Sequence, residues 1–211
     1  MTFDPDNGID PLRHGFHALE SLNEDHLPPE TGLLPHPEHD RELITYVREG
    51  RLIHQDESGR LGRLETGEFQ AASCRGETHP NSRNGSPSDA AHVFQSCFRP
   101  APGATRSTRE QRRFPTADRE GVLRLVVSPD GRQASLRIQQ DVRLYSSVLL
   151  MGHHLIHEMA EGRGAWLHVV QGRVALRGHE LGAGDGAALE GEPAVAFTAR
   201  EAAEILLFDL A

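Results

Sequence analysis

Short segments of alternating apolar and polar residues recur along this chain, each ended by a glycine-bearing turn. That pattern constrains the fold more than any other feature. After an alternating stretch at 15–22 and a Pro/Gly loop at 28–35, strands are expected at 43–47, 51–55, 67–72 and 92–98, with turns such as Arg48-Glu49-Gly50 between them. A second series is expected at 123–127, 135–139, 144–150, 166–170, 173–176, 195–198 and 204–208. Residues 78–89 are polar and read as an exposed loop. Residues 99–120 are rich in Pro, Arg, Thr and Gly and read as a linker, with a weak helix at 105–112. The two series also resemble each other. Tyr46-Val47-Arg48-Glu49-Gly50-Arg51-Leu52 matches Val169-Val170-Gln171-Gly172-Arg173-Val174, about half the chain away. The expectation is an all-β chain of two similar antiparallel β-barrels, 1–98 and 121–211. Chance recurrence of Gly-Arg turns is the plainer alternative.

Composition removes several chemistries. The 22 basic residues are all Arg, so lysine Schiff bases, pyridoxal-phosphate lysines and Walker-type phosphate loops are excluded. A net charge of −9 argues against direct nucleic-acid binding, which needs a positive surplus. Two cysteines, Cys74 and Cys97, build neither a disulfide framework nor a CxxC zinc knuckle, and nothing beside Cys74 would activate it as a nucleophile. No apolar run approaches a membrane span, and the acidic start with Asp4, Asp6 and Asp10 lacks a signal sequence. A cytoplasmic protein without membrane association is expected.

The unusual count is 13 histidines. In Pro35-His36-Pro37-Glu38-His39-Asp40-Arg41-Glu42, extended backbone would put His36 and Glu38 on one face, with Asp40 and Glu42 behind them. Thr78-His79-Pro80-Asn81 offers a second pair, His79 and Asn81. Together these give two imidazoles, one carboxylate and one amide, a set suited to non-heme Fe(II). As the weakest ligand, Asn81 would leave a position for water or substrate. A solvated, proline-punctuated loop is the competing interpretation. His54 is expected to hydrogen-bond inside the barrel, and His153, His157 and His168 could mimic a metal site in the second barrel.

Several segments resemble the pirin family: Asn23-Glu24-Asp25, Gly32 to His36, Glu42-Leu43-Ile44-Thr45-Tyr46-Val47 with Gly50, His54-Gln55-Asp56, Gly67-Glu68-Phe69-Gln70, Glu110-Gln111-Arg112-Arg113-Phe114 and Leu206-Leu207-Phe208-Asp209-Leu210. The resemblance implies a bicupin, two cupin-type jelly-roll barrels with metal in the first. It also implies activities known in the family, quercetin 2,3-dioxygenase in several bacterial members and iron-containing nuclear regulation in animals. The family's pattern is His-x-His, then His-x-Glu. Here His36 matches, Glu38 replaces the second His, and a one-residue loop deletion brings His79 and Asn81 into the last two places. His92 falls on a family position and reads as structural. The summed ligand charge stays at −1, because Glu replaces a neutral His and Asn replaces an anionic Glu.

The implied cofactor is a divalent metal, Fe(II) first, with Ni, Mn or Zn as alternatives. The implied partner is an aromatic, flavonol-like small molecule, and Glu38 or Glu42 would deprotonate it. The rival expectation is a metal-free, non-catalytic member that binds a small molecule or a protein partner.

Overall fold

The computed structural model describes residues 15–33, 40–55, 61–74, 81–104 and 107–211. Chain contacts divide it into two units. Among the described residues, the first takes 15, 19–113 and 136–140, and the second takes 16–18, 114–135 and 141–211.

In the first unit the strands are β1 (Leu19–Leu27), β2 (Arg41–Glu49), β3 (Arg51–Gln55), β4 (Leu61–Glu65), β5 (Glu68–Cys74), β6 (Asn81–Asn84), β7 (Ala91–Phe98) and β8 (Thr108–Arg113). They form two antiparallel sheets, ordered β1-β7-β2-β5-β8 and β4-β3-β6. Strand alternation sends Leu27, Val47 and Val93 to one face of the larger sheet, where they pack with Leu52 and Leu64 of the smaller one. Each such buried aliphatic side chain contributes about 1.5–3 kcal/mol.

The second unit carries β9 (Arg124–Ser128), β11 (Val142–Leu149), β12 (His154–Glu158), β13 (Gly164–Gln171), β14 (Arg173–Leu176), β15 (His179–Gly182), β16 (Gly186–Leu189), β17 (Ala194–Ala199) and β18 (Ala203–Leu210). The two-residue β10 (Leu136–Arg137) lies in the stretch that groups with the first unit. Within the second unit one sheet runs β9-β11-β18-β13-β16 and the other β12-β17-β14-β15. Leu149, Leu167, Val169, Ile205 and Leu207 of the first sheet pack with Val174, Leu176, Val195 and Phe197 of the second. The four-residue α1 (Thr116–Arg119) sets Arg119 into this unit's buried interior.

The internal repeat has a physical basis. Gly50 and Gly172 both sit at positive φ, +83° and +76°, in the turns after β2 and β13. A Cβ on Gly50 would lie 2.8 Å from the Ala90 carbonyl oxygen, and one on Gly172 2.1 Å from that of Ala202. Each carbonyl immediately precedes the strand next to the turn's own strand in the sheet, β7 or β18, so the two turns do the same job.

Three expectations are corrected. The 15–22 stretch becomes strand only from Leu19, because Gly15 and His17 take positive φ in a turn. The weak helix at 105–112 is replaced by β8, whose backbone pairs along β5, so the segment read as a linker includes a strand. Pairing at a sheet edge overrides local helix propensity here. The 78–89 loop contains β6, which pairs with β3 and whose last residue is the fully buried Asn84. The Asn84 amide donates to the carbonyls of Leu27, Pro28 and Asp89, holding together chain segments that the sequence gives no reason to join. No helix among the described residues is long and apolar enough to cross a membrane.

Candidate functional site

The inner face of the first unit's larger sheet is not wholly apolar. Register places Asn23 opposite Gln95, Gln95 opposite Thr45, and Thr45 opposite Gln70, one row across four strands. Each lies two residues from a member of the adjoining row that contains Val93 and Val47, so side-chain alternation gives the polar row the same inward face. Thr45, Gln70 and Gln95 are buried. From the smaller sheet His54, two residues from Leu52, also points inward and is buried. Buried polar groups cost free energy unless hydrogen-bonded. Yet Asn23 Oδ1 and Gln70 Nε2 have no hydrogen-bond partner among the described residues. The wall therefore offers an acceptor and a donor to a polar guest.

Of the expected ligands, His36 and Glu38 lie in 34–39 and His79 in 75–80, outside the described residues. Asn81 opens β6 opposite Gln55, next to His54 on β3, and its side chain is likewise outside the description. Glu42 is fully buried on β2. Its Oε2 accepts hydrogen bonds from Ser73 Oγ at 2.6 Å and from the Gln139 backbone N–H at 3.2 Å. Ser73 Oγ in turn accepts from Thr108 Oγ1 at 3.1 Å. Glu42 alternates with Leu43, Thr45 and Val47, so its carboxylate faces away from the polar row and ties β2, β5 and the 136–140 segment together.

On that opposite face the sequence reading missed a cluster. His26 pairs directly across from His92, and Glu24 lies two residues back on β1. His92 Nε2 is 2.7 Å from Glu24 Oε1, and His26 Nε2 is 3.7 Å from the same oxygen. The two imidazoles stack at 4.0 Å between centroids. Phe94, Tyr46 and Phe69 continue the line of rings. Burial holds the His92 pKa below its ordinary value although the Glu24 hydrogen bond acts the other way. Among the described residues these three form the one group of three or more His, Cys, Asp or Glu whose ligand atoms all lie within 4.8 Å of one another. The i, i+2 spacing of Glu24 and His26 was the available signal, but His92 joins them only through strand register.

In the second unit the histidines considered as a metal set do not group together among the described residues. His157 Nε2 bonds Asp209 Oδ2 at 2.9 Å, His153 Nδ1 accepts from the Leu150 N–H at 3.3 Å, and His168 is buried on β13, in the other sheet from His157. Asp209 is also ion-paired to Arg163. Burial would raise the Asp209 pKa, but the hydrogen bonds from His157 and Arg163 outweigh it and hold the carboxyl below its ordinary range. Burial pushes the Cys97 thiol up to about 12, so it is no nucleophile.

Comparison with known proteins now decides the family. Residues 7–97 match the family model described as pirin, and residues 125–210 match a quercetinase C-terminal cupin domain. Over 209 residues the chain is 36% identical to quercetin 2,3-dioxygenase of Escherichia coli K12, covering 99% of this chain and 89% of the relative. The chain belongs to the pirin family. This pirin is also 32% identical over 203 residues to a pirin-like protein of Caulobacter vibrioides, covering 96% of this chain and 87% of that one. The bacterial pirin YhhW from Escherichia coli, solved in complex with nickel(II), matches it with a TM-score of 0.88 at 37% identity, covering 99% of this chain and 89% of that one. The two-sheet units of this pirin are thus its two cupin domains.

Proposed function

We propose that this pirin holds one divalent metal ion in its first cupin unit through His36, Glu38, His79 and Asn81, and supports a quercetin 2,3-dioxygenase-type oxidation of a flavonol-like substrate. The observation that carries this reading is the relationship to Escherichia coli quercetin 2,3-dioxygenase along 99% of the chain. The nickel(II) complex of a bacterial pirin supports it. The donor set is chemically suitable, since two imidazoles, one carboxylate and one amide fit Fe(II), Ni(II) or Mn(II). The polar inner row supports a polar guest in the same unit.

A metal bound there supplies Lewis-acid attraction for the substrate's oxygens and for O2. The chain's own residues do the rest. Asn23 Oδ1 accepts a hydrogen bond from a substrate hydroxyl, and Gln70 Nε2 donates to a substrate oxygen. Glu38 takes the hydroxyl proton. Glu42 is the poorer base, because its carboxylate accepts from Ser73 and Gln139 on the opposite face. The test is protein reconstituted with Fe(II), Ni(II) or Mn(II) and given quercetin under air, with the visible absorbance followed. Metal-dependent loss of absorbance that His36→Ala abolishes is the expected result.

A second reading follows from the altered ligands. Glu38 and Asn81 stand where the family pattern has His and Glu, so the pocket could hold a small molecule without turnover. Quercetin bound but unchanged in the presence of each metal would favour that reading and reject the oxidation.

A further inference from the structure

The outward cluster on β1 and β7 uses none of the residues assigned to the cupin metal. We infer that Glu24, His26 and His92 form a separate divalent-metal site that takes Zn2+ or an ion of similar ligand preference and clamps the outermost strand β1 to β7. Two imidazole nitrogens and one carboxylate oxygen fill three positions of a tetrahedral zinc site, and water takes the fourth.

The distances favour this assignment. Ligands about 2.0–2.1 Å from a tetrahedral ion stand about 3.3 Å from one another. The two donor pairs that share Glu24 Oε1, at 2.7 and 3.7 Å, bracket that value. A plain hydrogen-bonded pair accounts for Glu24 and His92 but not for His26. The His26 side chain is 70% exposed and stacks on His92 with the ring planes 20° apart, so its Nε2 lone pair must swing toward Glu24 to share an ion with His92. Because it is exposed, its ring can turn its lone pair toward an ion without losing buried contacts. Arg48, whose charge acts on His92, is ion-paired with Glu49. Binding needs a change of tautomer: the hydrogen that His92 Nε2 shares with Glu24 passes to solvent while Nδ1 takes one up, so the ring stays neutral and its Nε2 lone pair is free for the metal.

The test is a calorimetric titration of the full chain, made without a histidine tag, with Zn2+. It compares His36→Ala with the double variant His36→Ala/His26→Ala. The His36→Ala protein binds one equivalent, and adding His26→Ala weakens that binding by at least about tenfold. Zinc also raises the melting temperature of His36→Ala but not of the double variant. Equal binding by the two proteins, or binding by neither, overturns the proposal. The cupin ligand set is judged separately, by metal retention in wild type against His36→Ala, so failure of one site is distinguishable from failure of the other.

Discussion

Replacing Arg119 by Met isolates a buried charge contact of the second unit. The Arg119 guanidinium lies 2.7 Å from Glu204 Oε1 and 2.9 Å from Ser146 Oγ. Its backbone carbonyl accepts a hydrogen bond from Ser147 Oγ at 3.3 Å. The two charged side chains are only 4% and 10% exposed. Methionine keeps most of the apolar stem but leaves Glu204 buried without this cation. Removing one partner of such a pair costs about 3–5 kcal/mol, whereas replacing both is close to neutral. A domain of ordinary stability has about 5–15 kcal/mol in total, so the loss is a large fraction. Trp166, the one tryptophan of the chain, lies in the second unit and reports its unfolding by fluorescence in urea. The expected result is a loss of about 3 kcal/mol or more for Arg119→Met and recovery of most of it in Arg119→Met/Glu204→Gln. A single variant within about 1 kcal/mol of wild type, or a double variant no better than the single, would refute the reasoning.

Asp209 has a folded pKa below its ordinary value, so its contacts with His157 and Arg163 stabilise the fold above about pH 4 and are lost as pH falls through the lowered pKa. The gap between the urea midpoints of wild type and Asp209→Asn should therefore be full at pH 7 and narrow progressively as pH falls below about 4; a gap that does not change with pH would exclude this linkage. Gly172→Ala should lower the melting temperature more than Gly178→Ala. Both residues have positive φ, which alone costs about 1 kcal/mol, but a Cβ at Gly172 meets the Ala202 carbonyl at 2.1 Å and one at Gly178 meets nothing within 4 Å. Equal losses would show that backbone conformation, not the close approach, makes glycine necessary.

Much of the architecture was legible because its cause is local. Alternation along 43–47 and 51–55 follows from which side chains enter the core, and Gly50 and Gly172 mark turns that only a residue without Cβ can make. Residues 108–113 were misread because Thr-Arg-Glu-Gln-Arg-Arg has no apolar alternation, and only pairing with β5 makes it a strand. Site features that depend on register were hidden for the same reason. Glu24 and His92 touch across 68 residues of sequence, and the row Asn23, Gln95, Thr45 and Gln70 exists only once four strands are aligned. The proposed donors His36, Glu38, His79 and Asn81 rest on spacing and family resemblance, and their side chains lie outside the described residues. Their altered pattern also supplied the rival reading.

Metal content tests the central claim most directly. Protein made without a histidine tag, loaded with Fe(II), Ni(II) or Mn(II) and desalted, is assayed by elemental analysis beside His36→Ala and His26→Ala. The account predicts that His36→Ala retains about one ion per chain fewer than wild type, and that His26→Ala keeps its cupin ion through desalting. Retention that is undiminished in His36→Ala, or no retained metal in wild type, would contradict it.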